Sequence, residues 1–206
     1  MRKIFLVFSM GMLIVVSGCG KEEKQPADAA KEATAVASTA EESVEMPAET
    51  PAELKKGSSM RLSSPEFANG GRIPKQYTAD GIDYSPALFI KDAPKDVESF
   101  ALIMDDPDAP NGAWVHWVLW NIPSDIEEIP GGGVRREGIM GGTNSWGNIG
   151  YGGPAPPSGI HRYIFKLYAL DTMLDIEPGA DKETLMAAME GHILDKTELM
   201  GIYSRD

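Results

Sequence analysis

Three stretches limit most what this chain can fold into. SFALIMDD (99–106), WVHWVLWNI (114–122) and HRYIFKLYALD (161–171) are short runs rich in β-branched and aromatic residues. The first is an almost unbroken apolar run that ends in acids, the pattern of a central strand covered on both faces. In the second, alternation puts Trp114, His116, Val118 and Trp120 on one face and Val115, Trp117 and Leu119 on the other. In the third it puts His161, Tyr163, Phe165 and Leu167 together, with Arg162, Ile164, Lys166 and Tyr168 opposite. Shorter strand candidates lie at 60–62, 87–90 and 200–203, between connections such as NGGRIP, PGGGVRREG and GGTNSWGNIGYGGPAPPSG. One helix is expected. Asp181 is placed to cap it, Leu185, Met189 and Ile193 recur at helical spacing, and it should end near Asp195. Many strands and few helices predict a mainly β domain, an antiparallel sandwich or a β-rich α+β fold.

That pattern is confined to residues 58–206, which carry all four Trp and all six Tyr. The chain before it reads differently. Arg2 and Lys3 precede an apolar run, 4–16, too short for the roughly 20 residues of a membrane span. The run closes in Val16-Ser17-Gly18-Cys19, which resembles a bacterial lipobox. Residues 1–18 are therefore expected to be a signal peptide, and Cys19 to be acylated and to anchor the chain to a membrane. Cys19 is the one cysteine in the sequence, so no intramolecular disulfide is expected. Gly20 follows it where an inner-membrane retention signal often has Asp. The expected location is the cell envelope, at the outer membrane or periplasmic face in a Gram-negative host. Residues 19–57 combine the lipidated Cys with an Ala-, Glu-, Pro- and Thr-rich stretch without aromatics. It has too little apolar surface to offset chain entropy and reads as a disordered tether, with room for a short helix near 27–37.

The formal net charge is −12, and no basic stripe interrupts it, which argues against a nucleic-acid surface. The chemistry-bearing residues cluster at two places. His116 follows DDPDAPNGAW, and His161 follows YGGPAPPSGI. If the two strands lie side by side, carboxylates, two imidazoles and a glycine loop with free amides share one end of a sheet. Each group also has a plainer reading. Asp105, Asp106 and Asp108 are favoured turn formers, though Asp106 ends a buried strand. His116 and His161 taken singly are ordinary core histidines. Asp105 and the three tryptophans of the second run read as structural, Arg162 faces away from His161, and His192 is a C-terminal helix residue without a role. Two His and one Asp would make a facial metal set, but no HxH or HExxH spacing supports it, so no metal or cofactor is expected. Ser145 in GGTNSW lies outside a GxSxG elbow, and the glycine loop does not match a nucleotide fingerprint.

DPDAP (106–110) followed by W-V-H-W (114–117) resembles the first signature of the phosphatidylethanolamine-binding protein (PEBP) family. YGGPAPPSGIHRYIFKLYALD (151–171) resembles its second. The similarity runs through SSPEFANGGRIPKQYTADGIDYSPAL (63–88), NIP (121–123) and ELMGIYSRD, closest in pattern to the bacterial, Raf kinase inhibitor-like branch. The resemblance implies a large antiparallel sheet packed on a smaller one, with a few peripheral helices. It also implies a small anion pocket lined by Asp106, Asp108, Pro110, His116, Gly153, Pro154 and His161, with Tyr151 close by. Ala155 stands where bacterial relatives often carry cysteine, and no C-terminal helix supplies the tyrosine that closes the mammalian pocket. The expected activity is binding of phosphate or a phosphorylated head group, without turnover. A hydrolase acting on a phosphorylated or acyl substrate, or a module regulating an envelope protease or kinase, are the alternatives. In the expected mechanism Asp106 orients an imidazole and favours its charged form, and His⁺ and loop amides hold the anion.

Overall fold

The computed structural model describes residues 59–133 and 137–205. The signal peptide 1–18, Cys19, the tether to residue 57 and the helix near 27–37 lie outside the described residues. In chain order the strands are β1 (Arg61–Ser63), β2 (Leu88–Lys91), β3 (Ser99–Asp106), β4 (Trp114–Pro123), β5 (Glu128–Ile129), β6 (Met140–Gly141), β7 (Ile160–Leu170) and β8 (Ile193–Ser204). Helix α1 (Lys182–Met189) precedes β8, and a 3-10 turn spans Lys75–Tyr77. All pairings between these strands are antiparallel. A three-stranded sheet has the order β1-β2-β5, and a five-stranded sheet the order β6-β4-β3-β7-β8. The fold is mainly β, a larger sheet packed on a smaller one with one α-helix among the described residues.

The larger sheet is covered on both faces. Phe100, Leu102 and Met104 of β3, Trp117 and Leu119 of β4, and Tyr163, Phe165 and Leu167 of β7 face the small sheet's Leu62, Leu88, Ile90 and Ile129. On the other face Ala101, Ile103, Val118, Trp120, Tyr168 and Leu170 pack with Leu185 and Met189 of α1. Every residue of β3 is buried, which is why its sequence reads as a continuous apolar run. Fully burying one such large side chain contributes about 1.5–3 kcal/mol, so this double-sided sheet is the rigid frame for whatever its ends carry.

Two bulges in β4 break the expected alternation. Met104 pairs with Trp117 and Asp105 with Val115, so His116 is skipped in the ladder. The extra residue turns His116 toward Tyr163, on the face of Trp117 and Leu119, and leaves Val115 with Val118 and Trp120. The grouping of His116 with Val118 and Trp120 is corrected accordingly. The second irregularity lies at Asn121 (φ 54), whose buried amide exchanges hydrogen bonds with Leu174, donating to its carbonyl at 2.9 Å and accepting from its N–H at 2.8 Å.

The C-terminal third also differs from expectation. Asp181 does cap α1, accepting the Thr184 N–H at 2.9 Å, and Leu185 and Met189 are buried. However, the helix stops at Met189 rather than near Asp195, because Gly191 (φ 81) turns the chain and Ile193 already pairs with Leu170. β8 thus starts seven residues earlier than the apolar segment 200–203 suggests. His192 belongs to the turn, where its Nδ1 bonds Asp171 Oδ1 at 2.8 Å.

Candidate functional site

β3 ends, and β4 and β7 begin, at the same edge of the large sheet. Side chains from all three meet there. Asp105 and Asp106 are consecutive and so point to opposite faces. Asp105 goes to the helix side, where Lys166 and Lys182 both donate to its Oδ2, at 3.0 and 2.9 Å. Asp106 goes to the other side and is 4% exposed. Its Oδ1 accepts the Asp108 N–H at 2.9 Å, closing the turn, and its Oδ2 accepts from His161 Nδ1 at 2.7 Å.

His116 lies nearby but has a different partner. Its Nδ1–H donates to the Gly152 carbonyl at 2.6 Å, while Gly152 N–H donates back to the His116 carbonyl at 2.9 Å. In the neutral ring this leaves Nε2 as an acceptor. Burial pushes the His116 pKa below its ordinary value, and the Gly152 carbonyl and the charges of Asp106 and Asp105 recover only part of that. The imidazole that Asp106 orients is that of His161, while at His116 desolvation outweighs the carboxylate charges. Tyr163 packs edge-on against His116 with ring centroids 5.2 Å apart. Burial, and then the Asp106 charge, push the Tyr163 pKa up, so it stays a phenol and a donor. Its hydroxyl lies close enough to the Asp106 carboxylate and the Ala155 N–H for both to act on its pKa, but among the described residues it makes no well-formed hydrogen bond, and neither does the buried Nε1 of Trp114.

These groups line a pocket of about 250 Å³. Asp106, His116, His161 and Tyr163 form its polar part. Ala109, Pro110 and Asn111 stand on one side, Ala155, Pro156 and Pro157 on another, and Trp114 and Trp146 complete the wall. The structure thus brings together Asp106, Pro110, His116 and His161. Asp108, Tyr151, Gly153 and Pro154 lie outside the lining and fasten its walls. Asp108 takes a two-pronged grip from Arg162 (2.9 Å from Nε, 2.7 Å from a terminal nitrogen) plus the Arg162 N–H at 2.9 Å. That guanidinium holds the Asp108 carboxyl down at about 2. Tyr151 donates to the Tyr77 carbonyl at 2.6 Å and packs edge-on against Trp117. The Gly153 N–H, expected to face an anion, instead donates to Asp83 Oδ1 at 2.7 Å, and the Pro154 carbonyl accepts from Ala79 N–H at 3.1 Å. Ser145 Oγ accepts the Val115 N–H at 2.9 Å and is not part of the lining.

Of the lining residues that the sequence reading leaves out, three are aromatic. Tyr163 could have been found, since it shares a face with His161 two residues on. Trp114 was grouped with structural tryptophans, although only Trp117 and Trp120 are core. Trp146 sits in a glycine-rich loop whose path the sequence does not reveal. Among the described residues no group of three or more His, Cys, Asp or Glu is placed to hold a metal ion.

Comparison with known proteins places this architecture. The family model for phosphatidylethanolamine-binding protein matches residues 63–204. A UPF0098 protein of Methanothermobacter thermautotrophicus is 51% identical over 150 residues, covering 71% of this chain and 99% of that protein. A second UPF0098 protein, from Aquifex aeolicus, is 44% identical over 160 residues, covering 73% of this chain and 91% of the other. Among solved structures, a phosphatidylethanolamine-binding protein homolog of Chlamydia trachomatis superposes with a TM-score of 0.68 at 41% identity, over 71% of this chain and 98% of that one. YbcL of E. coli, described as a member of the mammalian PEBP family, also gives 0.68, at 27% identity over 72% of this chain and 100% of its own. The match spans both signature stretches and both sheets, and the chain belongs to the phosphatidylethanolamine-binding protein family.

Proposed function

We propose that this protein is an exported, lipid-anchored binding protein that captures a small anion, phosphate or a phosphorylated head group, without turning it over. The observation that carries the reading is the convergence of His116, His161 and the Tyr163 hydroxyl on one small pocket, with Asp106 orienting a ring rather than facing outward. Tyr163 supplies a fixed donor. His161, held through Nδ1, presents its other nitrogen, and His116 does the same. Tyr163 donates as it stands and His116 Nε2 donates once its ring is protonated; groups already held in place favour an oxyanion over water. Binding is favoured over acyl-transfer hydrolysis because the lining contains no Ser, Thr or Cys, and Asp106 is already engaged by His161 and the Asp108 N–H.

NMR titration of the purified protein with phosphate and with phosphoethanolamine tests this. Shifts at the His116 and His161 imidazoles are expected, and unmoved resonances would sink the reading. The pH dependence has a defined sign. His116 is neutral in the empty pocket near pH 7, because burial lowers its pKa below the usual ~6.5. A bound anion favours the imidazolium, so the complex holds more protons than the free protein. Affinity should therefore rise as pH falls from about 8 to 6. Sulfate, which stays a dianion throughout, is the probe that isolates the protein's proton, and His116→Gln should flatten its profile.

The anchor rests on Val16-Ser17-Gly18-Cys19 after an apolar run. Several buried acyl chains, at about 0.8 kcal/mol per methylene, hold a chain on a membrane. Cys19→Ala is expected to move the protein from the envelope membrane fraction to the soluble one. Equal membrane retention of the variant would refute acylation as the anchor.

A further inference from the structure

We propose that Trp146 is the specificity-determining residue of this pocket, and that the natural ligand is an organic anion, a phosphate ester whose first substituent is flat or apolar. The inference rests on the anion-binding reading above and adds the ligand's second half to it.

Trp146 is a large apolar side chain, 45% exposed, and it lines the pocket. It is nevertheless firmly placed. Its own N–H and that of Asn148 both donate to Asn144 Oδ1, at 3.0 and 3.1 Å. Asn144 is buried, its backbone N–H bonds the Asn148 carbonyl at 2.9 Å, and its side-chain amide bonds the Gly150 carbonyl at 3.2 Å. The Asn144-centred turn thus fixes the backbone that carries the indole. The ring stands edge-on to His116, with centroids 4.9 Å apart, and edge-on to Trp114 at 5.4 Å. An isolated exposed tryptophan would need no explanation. One locked in place beside a polar pocket, with half its surface free, is a contact surface waiting for a partner.

The pocket's size and division agree. About 250 Å³ is the room of roughly eight waters, and it approaches the ~300 Å³ at which pockets for drug-sized ligands begin. A single tetrahedral oxyanion at Asp106, His116, His161 and Tyr163 leaves most of that space empty. The remainder is bounded mainly by Trp146, Trp114, Ala109, Ala155 and prolines, with Asn111 and the Trp114 Nε1–H as its neutral polar groups; it holds no second ionisable side chain and offers a good surface to a ring or short apolar chain. A polar end and an apolar end in one small cavity describe a ligand with the same two ends.

Calorimetric titration of the full chain with inorganic phosphate, phosphoethanolamine and phenyl phosphate tests this. Phenyl phosphate should bind roughly tenfold more tightly than either of the others, the scale of one aromatic contact. Trp146→Ala should remove that gain, so that phenyl phosphate and inorganic phosphate bind the variant within about twofold of each other, whatever change is common to both. If Trp146→Ala does not fold, Trp146→Phe and Trp146→Leu carry the comparison: the ring should retain part of the gain and the branched chain should lose it. Equal affinity for phenyl and inorganic phosphate in the native protein overturns the inference, as does a ratio that ignores residue 146, and both leave the anion pocket standing. Absence of binding by all three anions is a different result, which overturns the anion reading and this inference with it.

Discussion

Asp106→Ala should lower the stability of the domain by about 3–5 kcal/mol, the range for removing one partner of a buried pair. Asp106 is 4% exposed and His161 7%, so the lost carboxylate leaves nearly buried donors behind, with only the water that the pocket admits to turn to. Two donors lose their acceptor at once, His161 Nδ1 and the Asp108 N–H, and the turn after β3 loses its closing bond. Asp106→Asn separates the charge from the shape. Its single oxygen serves one of the two donors. If it keeps the Asp108 N–H, its NH₂ faces His161 Nδ1, and that contact is satisfied only when the imidazole proton moves to Nε2. The Asn variant should therefore be less destabilised than the Ala variant, and nitrogen NMR of His161 should show the Nε2–H tautomer. Urea unfolding measures the first effect. A loss under about 1 kcal/mol for Asp106→Ala, the scale of one ordinary hydrogen bond, would mean that the pair does not hold this end of the sheet.

Asp106 and His161 were legible in the sequence because both are out of place by composition: a carboxylate closing an apolar run, and a histidine opening one. β3, β4 and β7 were legible for a related reason, since long runs covered on both faces leave little else for them to be. What failed has physical causes. Alternation assumes one residue per ladder step, and the bulge at His116 breaks that count without altering composition. The helical spacing of Leu185, Met189 and Ile193 is real, yet Ile193 is 43% exposed and pairs with Leu170 of β7. The polar first half of β8 is a strand because β7 offers a ladder to it, a tertiary effect that local propensity does not carry. Asp108 looked like a ligand group and is a structural one. Its partner Arg162 lies 54 residues away, on the outward face of β7.

The glycine loop was read correctly as a close approach, but to the wrong partner, and this gives the second large effect. Gly153→Ala should destabilise the domain by about 1–3 kcal/mol, as overpacking does, and weaken phosphate binding by about tenfold or more. A Cβ on Gly153 would first meet Asp83 Oδ1, and beyond that side chain it would come within 2.8 Å of the Thr78 Cα and 2.9 Å of the Ala79 nitrogen. Both are backbone atoms, so no side chain can swing aside and one loop must retreat. The retreat opens two bonds, Gly153 N–H to Asp83 Oδ1 at 2.7 Å and Ala79 N–H to the Pro154 carbonyl at 3.1 Å. Ala155, Pro156 and Pro157 follow directly in the chain and form one side of the pocket, so the displacement is passed to the ligand wall. Asp83→Ala removes the first bond and adds no bulk at the loop, with the small added strain of an alanine at φ 64. It should cost about 0.5–1.5 kcal/mol and leave phosphate binding nearly intact. The pair of variants separates anchoring from fit: equal losses in binding for both would mean that the hydrogen bond positions the wall, whereas a loss confined to Gly153→Ala means that the missing Cβ does.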